Sequence, residues 1–135
     1  MVPRYLLDTN ICIYIRQKRP LEVLRRIERL TVGEAAISVI SYGELIYGAE
    51  KSPKRADRLR YLGELVGLIP ALPMPEAGGQ AYGAIRAALE STGQMIGNND
   101  LWIAAHAKAQ GLTLVTNNER AFKRVPGLRV ENWAA

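Results

Sequence analysis

Short apolar runs alternate with longer segments of helical character along this chain, and this alternation is the feature that most constrains its fold. Strands separated by helices form a parallel sheet, and right-handed crossovers place helices on its faces. The sequence therefore predicts an α/β fold with three layers, helix–sheet–helix. The predicted strands are residues 4–7, 35–38, 112–116 and 128–132, with a weaker one at 68–72 whose Pro70 favours an edge position.

Proline and glycine mark the ends of several predicted helices between these strands. Pro20, Pro53 and Pro75 stand where the first turn of a helix accepts proline, and Gly111 is a natural helix stop. A further helix is expected to follow Ser41. The other predicted helices cover residues 10–17, 21–30, 53–67, 75–93 and 98–110.

The totals of the sequence set broad limits on the protein. A single cysteine, Cys12, excludes an internal disulfide and fits a reducing compartment. The apolar run at residues 5–7 is far too short for a signal peptide or a membrane span. The net charge of +5 suits a polyanionic partner, although a solvated basic surface explains it too. We expect one domain over residues 1–135, soluble and cytoplasmic, without a membrane segment.

Three acids each have an ordinary structural explanation. Asp8 follows a strand and could cap the next helix. Glu44 lies three residues after Ser41, which is the spacing of a capping box. Asp100 falls in the first turn of its helix, where a carboxylate complements the helix dipole. Taken singly, each acid is better explained as a capping residue than as a catalyst.

Taken together, the three acids have a common position in the predicted fold. A helix that follows a parallel strand starts at the carboxyl edge of the sheet, and so does a helix that precedes one. Asp8, Glu44 and Asp100 therefore all lie at that edge, where open α/β folds place their ligand sites. Whether they meet depends on strand order, which this pattern leaves open.

A cluster of carboxylates repels itself unless a cation neutralises it. Oxygen ligands without a nearby histidine or cysteine favour Mg²⁺, or Mn²⁺, over zinc. Such a cation lowers the pKa of bound water and stabilises charge on a phosphodiester. An acidic site on a basic chain is therefore the combination that a nucleic-acid phosphodiesterase needs.

Four segments, at residues 6–15, 37–52, 96–118 and 125–133, resemble the PIN-domain nucleases and, more narrowly, the VapC-type toxins of bacterial toxin–antitoxin pairs. They follow the family's order and span nearly the whole chain. The resemblance implies a sheet of order 3-2-1-4-5, with its switch point beside Asp8 and Thr116. It also implies that Asp8, Glu44 and Asp100 form the active site and that Asp8 and Asp100 are the metal ligands.

The same resemblance implies an activity and partners. Its members are Mg²⁺-dependent endoribonucleases that pair with a VapB-type antitoxin and commonly form dimers, so we expect a homodimer and a cognate antitoxin. Candidate dimer positions are Leu45, Ile46, Leu62 and Leu65 on the third and fourth helices, which could equally belong to the core. Relatives with these motifs cut the initiator transfer RNA. The expected substrate is therefore a structured RNA, with a tRNA anticodon loop as the leading candidate.

The chain departs from the family at one position. Related toxins often carry a further acid just before the phenylalanine that follows the fourth strand, and here Ala121 precedes Phe122. Asn118 could hold a metal-bound water, or Glu119 could approach from a shifted loop. A polar turn is the alternative explanation for both. Asn10, in the segment after Asp8, is a further candidate supporting residue.

Basic residues near two predicted helices are candidates for contact with an RNA backbone. The main group is Lys51, Lys54, Arg55 and Arg58, and a second comprises Arg16, Lys18 and Arg19. A solvated surface explains both groups equally well. His106, the only histidine, lies six positions after Asp100 and so points away from that acid's face of the helix. We expect it to be structural.

Three other functions remain open. Phosphatase-like proteins with an aspartate nucleophile need a second aspartate two residues later, where this chain has Asn10. A catalytically weak RNA- or antitoxin-binding module would not need the three acids that the chain retains. A PIN nuclease that processes RNA, without toxicity, would have the same sequence pattern.

Overall fold

The computed structural model describes residues 2–134, which form a five-stranded parallel sheet of order β3-β2-β1-β4-β5. The strands are β1 (Tyr5–Leu7), β2 (Ala35–Ser38), β3 (Ala71–Leu72), β4 (Thr113–Val115) and β5 (Val130–Glu131). The helices in these residues are α1 (Thr9–Gln17), α2 (Leu21–Glu28), α3 (Val39–Glu50), α4 (Arg55–Leu68), α5 (Glu76–Ser91), α6 (Asn98–Ala109) and α7 (Glu119–Phe122). The predicted α/β class, parallel sheet and strand order are confirmed.

Two hydrophobic clusters account for the three layers. Leu6 and Leu114 join the side chains of α5, α6 and α7 in one cluster. Their strand neighbours Leu7 and Val115 join those of α1 to α4 in the other. Successive side chains of a strand point to opposite faces, so the central strands β1 and β4 contribute to both cores. These four side chains have no solvent exposure.

The weak third strand occupies an edge, as its proline predicted. β3 begins directly after Pro70 and pairs only with β2 within the described residues. The Pro70 carbonyl accepts a hydrogen bond from the Ile37 amide at 2.9 Å. Proline therefore contributes an acceptor to the sheet at a position where its missing amide hydrogen is not needed.

The predicted start of α3 was wrong. The helix begins at Val39, and Ser38, the last residue of β2, caps it by accepting a hydrogen bond from the Ile40 amide at 3.1 Å. Ser41 is buried inside the helix, and its hydroxyl has no hydrogen-bond partner in residues 2–134. The capping-box explanation of Glu44 therefore fails, because the strand leads into the helix without a loop.

Other differences are smaller. The boundaries of the remaining predicted helices agree with the structure to within two residues, but the four-residue α7 was not predicted. Leu45, Leu62 and Leu65 on α3 and α4 are buried within the chain. No helix within residues 2–134 is long and apolar enough to cross a membrane.

Candidate active site

Asp8 lies between the end of β1 and the start of α1, and its carboxylate is held by two donors. One oxygen, Oδ1, accepts a hydrogen bond from the Thr9 amide at 2.8 Å, so Asp8 is indeed a helix cap. The other, Oδ2, accepts a hydrogen bond from the Thr116 hydroxyl at 2.8 Å. Burial raises the pKa of Asp8, the two hydrogen bonds oppose this, and the negative charge of Glu44 raises the pKa further. The side chain is thus fixed in orientation but poorly compensated in charge.

Thr116 connects β1 to β4 at the switch point of the sheet. Besides donating to Asp8, its hydroxyl accepts a hydrogen bond from the Asn118 amide at 2.9 Å. The Asp8 amide in turn donates to the Val115 carbonyl at 2.8 Å. Thr116 is completely buried, so it can set the position of the Asp8 carboxylate without competition from water.

Glu44 projects from α3 and is held by side chains of two other helices. Its Oε1 accepts a hydrogen bond from the Thr9 hydroxyl at 2.6 Å, and its Oε2 accepts one from the Asn99 side-chain amide at 3.4 Å. Thr9 and Asn99 directly flank the other two acids in sequence, Asp8 and Asp100. The contacts of Glu44 therefore draw α1, α3 and α6 together at the acidic site.

Asp100 lies in the first turn of α6, and its pKa is raised to about 6. Burial is the main cause, followed by the negative charges of Asp8 and Glu44. None of these three acids forms an ion pair with a basic side chain within residues 2–134. The structure thus places the three predicted acids close enough to repel one another, with no internal cation between them.

The donor set suits a hard divalent cation in chemistry, because it consists of carboxylates whose repulsion such an ion would relieve. In the described part of the chain, however, no three His, Cys, Asp or Glu side chains are arranged so that they could hold a metal ion. The acids therefore form an electrostatic cluster and not a preformed ligand cage.

The candidate supporting residues divide into two groups. Thr116 contacts Asp8 directly, whereas Asn10 is exposed and donates to the Asn117 side chain at 3.5 Å. Asn118 is exposed just before α7 and reaches the site only through its backbone amide. Glu119 forms an ion pair with Lys123 at 3.0 Å, and hydrogen bonds to Lys123 and Asn132 lower its pKa. Neither Asn10 nor Glu119 forms a hydrogen bond or an ion pair with the three acids within residues 2–134.

His106 and Cys12 are enclosed by the fold. The His106 ring nitrogens lie 2.8 Å from the Ser38 hydroxyl and 3.0 Å from the Gln110 side-chain oxygen, and burial lowers the pKa of the ring. His106 thereby joins α6 to the residue that caps α3, in agreement with a structural role. Burial also raises the pKa of the Cys12 thiol to about 12, so it is not a nucleophile near neutral pH.

Two of the four candidate RNA-binding residues already have partners in the structure. Arg55 binds Glu50 at 2.6 Å, and the Lys51 ammonium lies 4.7 Å from the centre of the Tyr47 ring. Lys54 is exposed before α4, and Arg58 is partly buried in the first turn of that helix. The four residues are thus grouped at the junction of α3 and α4, with different freedom to bind a ligand.

Glu44 stands between two cavities. One, of about 250 Å³, is also lined by Thr9, Arg16 and Arg58. The other, of about 680 Å³, is also lined by Lys51 and Asn99. Sequence reasoning missed Thr9 and Asn99, although each is adjacent in sequence to an acid that was identified. Polar neighbours of a candidate acid were the available signal.

Comparison with known proteins gives consistent results over nearly the whole chain. The model of the PIN domain family matches residues 5–128. The chain is 42% identical over 130 residues to ribonuclease VapC2 of Haemophilus influenzae, covering 96% of this chain and 98% of that one. It is also 42% identical over 131 residues to the tRNA(fMet)-specific endonuclease VapC of Shigella flexneri, covering 97% and 98%.

A solved structure shows the same likeness in three dimensions. VapBC2 from Rickettsia felis, bound to a DNA fragment from its promoter, contains a chain with a TM-score of 0.89 to this one. The two chains are 41% identical, and the match covers 98% of this chain and 99% of the other.

Proposed function

Because the chain belongs to the PIN-domain family and, within it, to the VapC ribonucleases, we propose that it is the endoribonuclease toxin of a toxin–antitoxin pair. Its active site in this proposal is Asp8, Glu44 and Asp100. The observation that carries the proposal is that these acids lie together at the carboxyl edge of the sheet, where Glu44 binds the neighbours Thr9 and Asn99 of the other two acids and none of the three forms an ion pair within residues 2–134. The family membership gives no support to a phosphatase with an aspartate nucleophile.

PIN-domain nucleases generally use a divalent metal, and for this chain we propose Mg²⁺, which Mn²⁺ could replace. The ligands would be Asp8 and Asp100. A bound divalent cation supplies a water of lowered pKa and stabilises negative charge on the phosphodiester. Thr9 and Thr116 contribute by holding Asp8 in place, and Thr9 also orients Glu44. Above pH 6 or so, Asp100 is deprotonated and can act as a ligand.

The reaction we propose is hydrolysis of one phosphodiester bond. A water oxygen bonds to phosphorus, the bond to the 3′ oxygen breaks, and the products carry a 5′ phosphate and a 3′ hydroxyl. The 2′ hydroxyl is not the nucleophile, so the reaction needs no histidine pair. The single histidine, His106, is fully buried and bonded at both ring nitrogens.

The ends of the cleaved RNA test this reaction. RNA cut in the presence of Mg²⁺ is treated with a ligase that requires a 5′ phosphate, and the joined products are sequenced. Efficient ligation is expected without prior phosphorylation. A 5′ hydroxyl with a 2′,3′-cyclic phosphate would refute hydrolysis by water. The matched control is the protein with Asp8→Asn, which should yield no ligatable ends.

For the substrate, we propose a single-stranded loop of a folded RNA, with a tRNA anticodon loop as the first candidate. One relative is named as a tRNA(fMet)-specific endonuclease. Bases in unpaired loops can be turned outward and bound by side chains more readily than bases in a duplex. The basic residues Lys51, Lys54 and Arg55 would then follow the phosphate backbone of the adjoining stem, and Arg58, which lines a cavity with Glu44, would face phosphates nearer the acids.

Cleavage sites in total RNA after brief expression of the protein test this substrate. A single dominant cut in a loop is expected. Dispersed cuts throughout duplex RNA would contradict loop selectivity while leaving the chemistry intact. Brief expression matters, because later changes in the RNA pool of a dying cell would obscure the first cut.

We also propose that a small VapB-type antitoxin binds and inhibits the protein, since the Rickettsia felis structure is that of a VapBC complex. An apolar groove of about 300 Å³ between α1, α2 and α4 is a candidate surface. Its lining includes Val32 and Leu68, which are 63% and 59% exposed. Failure of the protein encoded next to this gene to block cleavage would contradict the pairing.

A homodimer remains part of the proposal. Of the candidate positions, Leu45, Leu62 and Leu65 cannot form its surface because they are buried within the chain, whereas Ile46 is partly exposed. Tyr47, which is 65% exposed on α3, remains available. Light scattering should give twice the mass of the chain, and a monomer at high micromolar concentration would contradict the dimer.

A further inference from the structure

Two arginines from different helices line the cavity beside Glu44. Arg16 lies in the last turn of α1, and Arg58 lies in the first turn of α4. The cavity has a volume of about 250 Å³, and its lining also includes Thr9 and Glu44 from the acidic site. Two basic side chains and one acid of the site, Glu44, therefore line the same opening.

Among the partly buried arginines of residues 2–134, Arg16 and Arg58 are the two without an ion pair or hydrogen bond, since Arg26 binds Glu131 and Arg124 donates to the Met95 carbonyl. Neither guanidinium forms an ion pair or a hydrogen bond within residues 2–134, although both are partly buried. Burial lowers the pKa of Arg16, and the positive charge of Arg58 lowers it further. In contrast, five other arginines pair with acids: Arg4, Arg26, Arg55, Arg60 and Arg86.

An anion between the two guanidinium groups would relieve their repulsion. Guanidinium groups bind phosphate oxygens through paired N–H donors, and they are less strongly hydrated than an ammonium group. A strand that reaches the acids through this cavity must pass Arg16 and Arg58, because Thr9 and Glu44 line the same space. RNA is the proposed substrate of the neighbouring acidic site. A phosphodiester of that RNA is therefore the anion expected between the two arginines.

We propose that Arg16 and Arg58 together form a subsite for a backbone phosphate of the RNA, next to the phosphate that is cleaved. The inference rests on the proposed ribonuclease function and adds to it a place where the strand is held. The two arginines are positioning residues, since they act on the register of the strand and not on the reacting bond.

Binding of RNA without catalysis tests the subsite. The full chain is mixed with a fluorescently labelled, single-stranded oligoribonucleotide of mixed sequence in chelator, so that no divalent metal is present, and anisotropy is measured over a range of salt. Arg16→Gln and Arg58→Gln are each expected to weaken binding roughly five- to tenfold. Each should also reduce the slope of log affinity against log salt by about 0.7, the value for one phosphate of a single strand.

The matched control is Arg25→Gln, which removes the same charge from an exposed position on α2 outside the cavity. It should leave affinity and salt slope close to those of the wild type. The thermal midpoints of Arg16→Gln and Arg58→Gln should equal or exceed that of the wild type, because each removes a like-charge repulsion. A merely structural role for the arginines would lower the midpoint instead.

A second measurement separates this inference from the proposed nuclease activity. The Nε resonances of Arg16 and Arg58 are followed by NMR during titration with inorganic phosphate, and both are expected to shift more than that of Arg25. If both resonances shift but the protein cleaves no RNA, the shifts support the anion subsite and the absence of cleavage refutes the nuclease proposal.

Three results would overturn the subsite. One is RNA binding by Arg16→Gln and Arg58→Gln that matches Arg25→Gln. Another is the absence of a phosphate-dependent shift together with unchanged salt slopes. In the third, Arg16→Gln and Arg58→Gln leave RNA binding unchanged but abolish the complex with the small protein encoded next to this gene. The arginines would then bind a carboxylate of that protein.

Discussion

The pKa values of acidic residues are shifted in opposite directions at the two ends of the parallel strands, the amino edge and the carboxyl edge of the sheet. At the amino edge, Glu34 precedes β2 and binds Arg4, which precedes β1, at 3.1 Å. Hydrogen bonds from Thr31, followed by the contact with Arg4, lower the pKa of Glu34. At the carboxyl edge, burial and mutual repulsion raise the pKa of Asp8 and Asp100. The charge of Glu34 at the amino edge is thus balanced by Arg4, whereas Asp8 and Asp100 at the carboxyl edge have no such partner within residues 2–134.

This difference shows which acids stabilise the fold and which are available for function. The charged form of an acid that serves only as a helix cap is stabilised by a nearby donor or cation and destabilised by a nearby acid. Asp8 has the donors of a cap, but it also has the repulsion of Glu44, which a cap does not need. The unpaired charge at the carboxyl edge is therefore the feature that supports the proposed active site at this position.

The largest expected effect comes from Asp8→Asn. Cleavage of RNA with Mg²⁺ should fall by more than about a hundredfold, since even outer partners of metal ligands contribute roughly 10- to 100-fold. The amide oxygen can still accept from Thr9, so the helix cap survives. Loss of a repelling charge should leave the metal-free melting temperature unchanged or higher. Cleavage rates and thermal unfolding measure the two quantities.

The matched control for this variant is Glu34→Gln at the opposite edge. It removes one acid from the same sheet and should leave the cleavage rate within about twofold of the wild type. Near-wild-type cleavage by folded Asp8→Asn would rule out Asp8 as an essential ligand and remove the functional contrast between the edges.

A smaller effect is expected for Thr116→Val, which keeps the shape of the side chain and removes the hydroxyl. Asp8 Oδ2 and the Asn118 amide each lose a partner. The pKa of Asp8 should rise further, because the Thr116 hydrogen bond lowers it. We expect cleavage to fall roughly tenfold and stability to fall by about 1–2 kcal/mol. Unaltered cleavage would show that the hydroxyl does not position Asp8 for the reaction.

The acids of the carboxyl edge could be predicted from sequence because the edge follows from strand and helix alternation alone. Glu44 was predicted at this edge because its helix follows the second strand, and only the capping-box explanation of Glu44 was wrong, since Ser38 and not Ser41 caps α3. Its contacts with Thr9 and Asn99 depend on how three helices pack, which no local pattern contains. Strand order came from the family resemblance and not from the alternation.

Other features lay beyond sequence reasoning for physical reasons. Helix α7 has four residues, which is too short to show a helical hydrophobic period. Arg16 and Arg58 line the same cavity although they lie 42 positions apart in the sequence. The buried leucines of α3 and α4 could equally have formed an interface, because apolar periodicity does not distinguish a core from a dimer surface.

The contributions of Asp100 at the carboxyl edge and Glu34 at the amino edge to the stability of the fold should change with pH in opposite directions. The pKa of Asp100 is raised from 3.8 in the unfolded chain to about 6 in the folded one. The folded state therefore holds more protons between these values, and the contribution of Asp100 to stability increases as the pH falls through this window. In metal-free wild-type protein this gain should be measurable by unfolding at pH 7 and pH 4.5.

The variant Asp100→Asn provides the control for that measurement. It should lose this gain on acidification and should unfold at a higher temperature than the wild type at pH 7 without metal. Saturating Mg²⁺ should reduce the difference between the two proteins, because a cation stabilises the charged form of Asp100. An identical pH dependence in both proteins would show that Asp100 does not titrate as the repulsion requires.

The smallest effect is expected at the amino edge. The folded pKa of Glu34 is lowered from its ordinary value of 4.5, so its contribution to stability is present above that value and is lost as the pH falls through the folded pKa. Glu34→Gln should therefore lower the melting temperature slightly at pH 7, and the difference from the wild type should shrink as the pH falls through the folded pKa of Glu34 and its carboxyl takes up a proton. The effect stays small because Arg4 is 65% exposed and water screens the pair. Moderate salt should weaken it further, whereas the pH response set by the half-buried Asp100 should be less sensitive to salt. A pH response of the same sign in Glu34→Gln and Asp100→Asn, relative to the wild type, would show that the two edges do not differ in how they compensate charge.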